Sequence, residues 1–137
     1  MPENRSVAEA RAVWDFTIGE PDKLAMRLED LRDTMRAFSR RGTKARFAMI
    51  VRGPASRLIV QRLPSSTPEL GKAGARIASL LEEVAAEGVT VEQCGMALAR
   101  QGVRREDLLP FVTVIENSFV SIVDYEQRGY AYVPIDR

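Results

Sequence analysis

Apolar residues recur along this chain with two periods, that of a strand and that of a helix. Ala12-Val-Trp-Asp-Phe-Thr-Ile18 reads as a first strand, and Glu20-Pro21-Asp22 then opens a helix. Proline suits a first helical turn, and acids suit the positive end of the helix dipole. Leu24, Leu28, Leu31, Met35 and Phe38 repeat at helical spacing until Gly42 ends the run. Arg46-Phe-Ala-Met-Ile-Val51 is a second strand, apolar enough to be buried on both faces. Gly53-Pro54 starts a short helix reaching about Val60, and residues 63–68 form a loop. Leu70, Ala73, Ile77, Leu80, Leu81 and Val84 lie on one face of a long helix ending at Gly88. Val89 and Val91 belong to a third strand, followed by a helix from Met96 to Gln101 that Gly102 closes. Arg105-Glu-Asp-Leu-Leu109 is one helical turn, and Val112-Thr-Val-Ile115 a fourth strand. Asn117 or Ser118 can cap a helix to about Arg128. Tyr130-Ala-Tyr-Val-Pro-Ile135 is a fifth strand, and Pro134, which cannot donate to a ladder, favours an edge or a strand end.

Helix, glycine, strand therefore recurs at Gly42, Gly88 and Gly129. Crossovers of this length give an α/β fold with a mainly parallel five-stranded sheet, covered by helices on both faces. Residues 1–10 read as a polar tail and 11–137 as a single domain. Trp14 and the Leu and Met stripes on the helices are expected in the core.

Of 137 residues, 45% are hydrophobic and 28% charged, as in an ordinary globular domain. A net charge of +1 gives no footprint for nucleic acid or an anionic membrane, so neither is expected as a partner. The basic run Arg36–Arg46 falls at a helix end, where cations complement the dipole. Without an apolar leader or spanning run, a cytoplasmic location is expected. One cysteine and no histidine exclude an internal disulfide and leave no metal site or cofactor expected. They also exclude a Cys-His or Ser-His nucleophile pair.

The single cysteine, Cys94, stands where the third strand gives way to a helix. In an α/β sheet, ligands bind at the carboxyl ends of strands, and a helix N-terminus favours the thiolate. The strand ends bring Gly19, Glu20, Arg52, Gly53, Cys94, Gly95, Glu116, Asn117 and Ser118 to that edge. Cys94 is the candidate nucleophile, and Arg52 the cation expected to lower its pKa. Gly53 and Gly95 would let a ligand approach the backbone, and Asn117 would join a substrate or anion site. Each residue also has a plainer reading: Cys94 as a small buried hydrophobe, Arg52 as a salt-bridge residue, Asn117 and Ser118 as caps.

Several segments, in this order, resemble the DsrE/DsrF-like (YchN-like) family. They are Asp15-Phe-Thr-Ile-Gly-Glu-Pro-Asp-Lys-Leu24, Val51-Arg-Gly-Pro54, Val91-Glu-Gln-Cys-Gly-Met-Ala-Leu98 with Gly102, and Gln127-Arg-Gly-Tyr-Ala-Tyr132. The resemblance covers about residues 12–135 and implies a three-layer α/β/α sandwich that assembles as a homo-oligomer, a trimer or hexamer. It also implies that Cys94 accepts sulfane sulfur as a persulfide and passes it on, with sulfur donor and acceptor proteins as partners. Nearer relatives often have histidine where this chain has Arg52, which changes the charge beside the thiol.

The expected function is accordingly that of a sulfur carrier, sulfurtransferase-like, acting through Cys94. The alternatives are a non-enzymatic oligomeric module binding a small molecule or anion near Arg52, and a redox-sensing thiol. A carrier thiol has to be reached by two partners in turn, so Cys94 is expected to be at least partly exposed. Phe119-Val-Ser-Ile-Val123 is a candidate contact surface between copies.

Overall fold

A computed structural model describes residues 8–63 and 67–137. The elements run β1 (Glu9–Phe16), α1 (Pro21–Arg40), β2 (Lys44–Val51), α2 (Pro68–Ala86), β3 (Thr90–Cys94), α3 (Gly95–Gln101), β4 (Thr113–Ile115), α4 (Ser118–Gln127) and β5 (Ala131–Ile135). Two 3₁₀ turns, Gly53–Arg57 and Arg105–Asp107, sit in the connections. The strands form one sheet in the order β4-β3-β2-β1-β5, and every pairing is parallel. This is the α/β architecture that the helix-glycine-strand repeat requires.

Local chemistry explains where the elements begin and stop. Pro21 opens α1 with Asp22 in its first turn, and Pro68 opens α2. The Thr67 hydroxyl accepts the Leu70 amide of α2 at 3.1 Å, satisfying one of the free N–H groups of a helix start. Gly88, at φ +100°, turns the chain from α2 into β3 through a conformation that residues with a Cβ rarely adopt. Strands β1 and β2 begin two or three residues before their apolar runs. Glu9, Ala10 and Arg11 pair with Lys44, Ala45 and Arg46 at the solvated end of the sheet, where nothing apolar marks them. β1 also ends at Phe16 rather than Ile18, and the short helix after Gly53 is a 3₁₀ turn ending at Arg57. Most of the tail expected at residues 1–10, and part of the loop expected at 63–68, lie outside the described residues.

The two faces of the sheet are covered unequally. Successive strand residues point to opposite faces. Trp14, Phe16, Phe47, Met49, Val51 and Val91 join Leu24, Leu28 and Leu31 of α1 and Ile77, Leu81 and Val84 of α2 in the main core. Trp14 packs against Phe47, their ring centroids 5.3 Å apart. The opposite face has a much smaller core, in which Ile122 of α4 meets Val13, Ala48 and Ile50. The asymmetry follows from strand order: the three successive crossovers from β1 to β4 step one way, and the last returns across the sheet to β5. Parallel crossovers keep one hand, so reversing direction changes the face on which the helix lies. Pro134 falls on edge strand β5, beside Asp15 of β1. No helix among the described residues is long and apolar enough to cross a membrane.

Candidate functional site

Cys94 is the last residue of β3 and the N-cap of α3, with extended backbone angles. Its neighbour Gln93 is fully buried and holds this junction in place. The Gln93 amide nitrogen donates to Ser56 Oγ at 2.7 Å and to the Cys94 carbonyl at 3.0 Å. Gly95 lets β3 and β4 close up: a Cβ there would lie 3.0 Å from the Ile115 carbonyl oxygen. Cys94 shares the face of Glu92 and so looks toward α4 rather than the main core.

At that face the thiol lies against the start of α4, whose first residue is Ser118. Burial pushes the Cys94 thiol up, but the hydroxyl and amide of Ser118 and the amides of Ala97 and Met96 outweigh it, and its pKa is lowered. The Ser118 side chain is buried and has no partner within ordinary hydrogen-bond geometry, so donation to a thiolate meets no competitor. Asn117 caps α4 by accepting the Phe119 amide at 2.9 Å. The alkylation rate of Cys94 is therefore expected to inflect at a lower pH than that of an ordinary thiol. Thiolate is the reactive form, so the rate rises with pH through that inflection, and Ser118→Ala should move the inflection upward. An inflection at or above the ordinary value in the wild type would contradict this account of the site.

A cavity of about 100 Å³ adjoins the sulfur, lined by Arg52, Gly53, Cys94, Met96, Ala97, Arg100, Gln101, Ser118 and Phe119. Of the residues expected at the strand ends, Arg52, Gly53, Cys94 and Ser118 line this cavity, whereas Gly95 and Asn117 act in packing and capping. A larger depression of about 600 Å³ opens elsewhere, between Arg57, Gln61 and Gln101, and Cys94 does not line it. Cys94 is only 2% exposed. The expectation of a partly exposed thiol is thus corrected: the strand end is covered by the first turn of α4, and the sulfur is reached through the cavity.

Arg52 lines the cavity but is not what lowers the thiol pKa, and the expectation that it would do so is also corrected. Its guanidinium is held by the buried carboxylate of Asp15, with Nε 2.9 Å from Oδ1 and a terminal nitrogen 2.9 Å from Oδ2. Tyr132 donates its hydroxyl to the same Asp15 oxygen at 2.5 Å. This bidentate bond to Asp15 raises the Arg52 pKa further. Arg52 also stacks on the Phe119 ring, 5.1 Å from its centroid, joining the sheet to the start of α4. Gly53 makes the turn after Arg52 at φ +58°, and Pro54 packs so closely on Gly19 that a Cβ there would approach within 2.6 Å. The sequence did carry one signal for this cluster: a carboxylate between Trp14 and Phe16, in a strand due to be buried, needs a partner.

No family model matches the sequence. An uncharacterized protein of Aquifex aeolicus (strain VF5) is 23% identical over 127 residues, which are 90% of this chain and 55% of that protein. The chain thus spans about half the length of this relative. Among solved structures, MTH1491 of Methanobacterium thermoautotrophicum superposes with a TM-score of 0.71 at 17% identity, covering 91% of this chain and 98% of its own. YchN of E. coli superposes with a TM-score of 0.64 at 14% identity, covering 91% of this chain and 99% of its own. The chain has the DsrE/YchN-like fold. MTH1491 is itself a protein of unknown function, and at these identities the likeness is one of architecture. On the DsrE/YchN-like fold, chemistry has to be argued from this chain's own Cys94, Ser118, Arg52 and Arg100.

Proposed function

We propose that this protein is a cytoplasmic sulfur carrier, sulfurtransferase-like in its chemistry, that holds sulfane sulfur as a persulfide on Cys94. The observation that carries this reading is a thiol of lowered pKa at a strand-to-helix junction, beside a small cavity. In the first step, the Cys94 thiolate attacks the outer sulfur of a donor persulfide. A new S–S bond forms on Cys94, the donor's S–S bond breaks, and its electron pair leaves on the donor thiolate. In the second, an acceptor thiolate attacks the outer sulfur on Cys94, whose thiolate departs. A thiol whose pKa is lowered ionises more readily and is the better leaving group, so the same environment serves both steps. Neither step needs histidine.

We extend the proposal to assembly. Phe119, Val120 and Val123 are more than half exposed on α4, whereas Ile122 between them faces the sheet. This outer stripe is the surface on which copies would meet in a trimer or hexamer, beside the cavity that Phe119 lines.

Intact-mass measurement after exposure to sulfane-sulfur donors tests the carrier reading. Wild type should gain the mass of one sulfur atom, lose it to excess acceptor thiol, and gain nothing as Cys94→Ser. Wild type left unmodified by every donor would end the carrier reading in favour of a binding module.

A further inference from the structure

We propose that the cavity beside Cys94 takes a small inorganic sulfane-sulfur anion of the thiosulfate type, with Ser118 Oγ and Arg100 as its binding groups. The inference rests on the carrier reading and names the donor class. The size of the cavity is the first constraint. About 100 Å³ is room for roughly three water-sized groups, taking about 30 Å³ for each. The sulfane end of a small anion can enter this space. A persulfide on a peptide or a protein would have to bring its main chain against Phe119 and Arg100, because the thiol itself is only 2% exposed.

Charge is the second. Arg100 lines the cavity from α3 and, among the described residues, has no ion-pair partner. Arg52, which also lines the cavity, is already neutralised by Asp15. The cavity therefore keeps one uncompensated cation at a solvent-reachable position, which suits an anionic donor. The third is Ser118. Its hydroxyl is buried on the cavity wall, without a partner, where an unmade hydrogen bond is costly. The Cys94 thiolate and the sulfur of an entering anion are the acceptors this hydroxyl can serve.

The reaction balances without an added oxidant or reductant. The Cys94 thiolate attacks the outer sulfur of thiosulfate, and an S–S bond forms on Cys94. The S–S bond of thiosulfate breaks, its electron pair leaves with sulfite, and no proton moves. Arg100 would hold the sulfonate oxygens as charge passes to sulfite, and Ser118 would donate to the transferred sulfur.

The test uses the full chain, thiosulfate and glutathione persulfide as donors, and a pH at which the thiols of all variants are ionised. With thiosulfate, wild type should gain one sulfur and release one sulfite per chain. Arg100→Gln should load about tenfold more slowly, the loss expected for one charge-assisted contact, while alkylation by neutral iodoacetamide stays within about twofold. Ser118→Ala should also load more slowly at this pH, and its Tm, read at a pH where Cys94 is a neutral thiol, should not fall, because the hydroxyl then makes no bond. A structural role for Ser118 would instead lower the Tm and leave the loading rate alone, overturning its assignment. Loading from glutathione persulfide but not thiosulfate, or an unchanged rate in Arg100→Gln, would overturn this inference and leave the carrier reading standing. Loading from neither donor would end both.

Discussion

Arg52→Ala is expected to lower the stability of the fold by about 3 kcal/mol, because it leaves a buried carboxylate without its counter-charge. Asp15 is 2% exposed and takes both of its Arg52 contacts at 2.9 Å. Deleting the guanidinium leaves Tyr132 as the remaining donor to a charge that water cannot reach. Removing one partner of such a pair costs far more than the pair contributes over an apolar substitute. A loss of this size is a large share of the roughly 5–15 kcal/mol by which domains are stable. Urea unfolding should show it as a fall in midpoint with little change in slope. The double variant Asp15→Asn/Arg52→Met, which removes both charges, should recover part of the loss. The pH profile of Cys94 alkylation should stay where it is in Arg52→Ala, because Ser118 and the helix amides set it. An unfolding midpoint equal to wild type would show that the cluster contributes nothing to the fold.

Leu81→Ala should cost about 3–4 kcal/mol, near the middle of the range for emptying a leucine site in a packed core. Leu81 is fully buried on α2, among the side chains of the main core. The same truncation on the other face, Ile122→Ala, should cost about 1–2 kcal/mol in the monomer, because the smaller cluster around it can relax into the space. Comparing the two by urea unfolding reads the difference between the faces directly. Equal losses would mean that the thin face is as tightly held as the thick one.

These expectations depend on features that the sequence reveals unevenly. The stripe from Leu24 to Leu31 and the stop at Gly88 could be read because periodicity and turn chemistry are local. The same holds for Cys94 at its strand-to-helix junction, where Val91 hands over to Met96 and Ala97. The first residues of β1 and β2 could not, since Glu9, Arg11 and Lys44 are paired through their backbones while their side chains meet water. Arg52 was expected at the right edge, and its partner was missed because that depends on strand order. Asp15 and Tyr132 meet it only because β1 lies between β2 and β5. Ser118 was expected at the same edge with a cap as its plainer reading, and the cap proves to be its neighbour Asn117. The contact of Ser118 with Cys94 follows from strand order, since Ile115 of β4 pairs with Cys94 and Ser118 stands three residues on, where the last crossover begins.

That last crossover also bears on the order in which the chain can fold. β1 acquires β2 as a neighbour from residues close behind it, but its other edge stays open until residues 131–135 arrive. The bond from Tyr132 to Asp15 closes a separation of 117 residues. Contacts so distant in sequence form slowly, because the intervening chain must be ordered first. Until they do, the first strand offers a bare edge and a carboxylate bound from one side only. The step that closes the sheet is thus also the one that completes the Asp15 cluster at the rim of the Cys94 cavity.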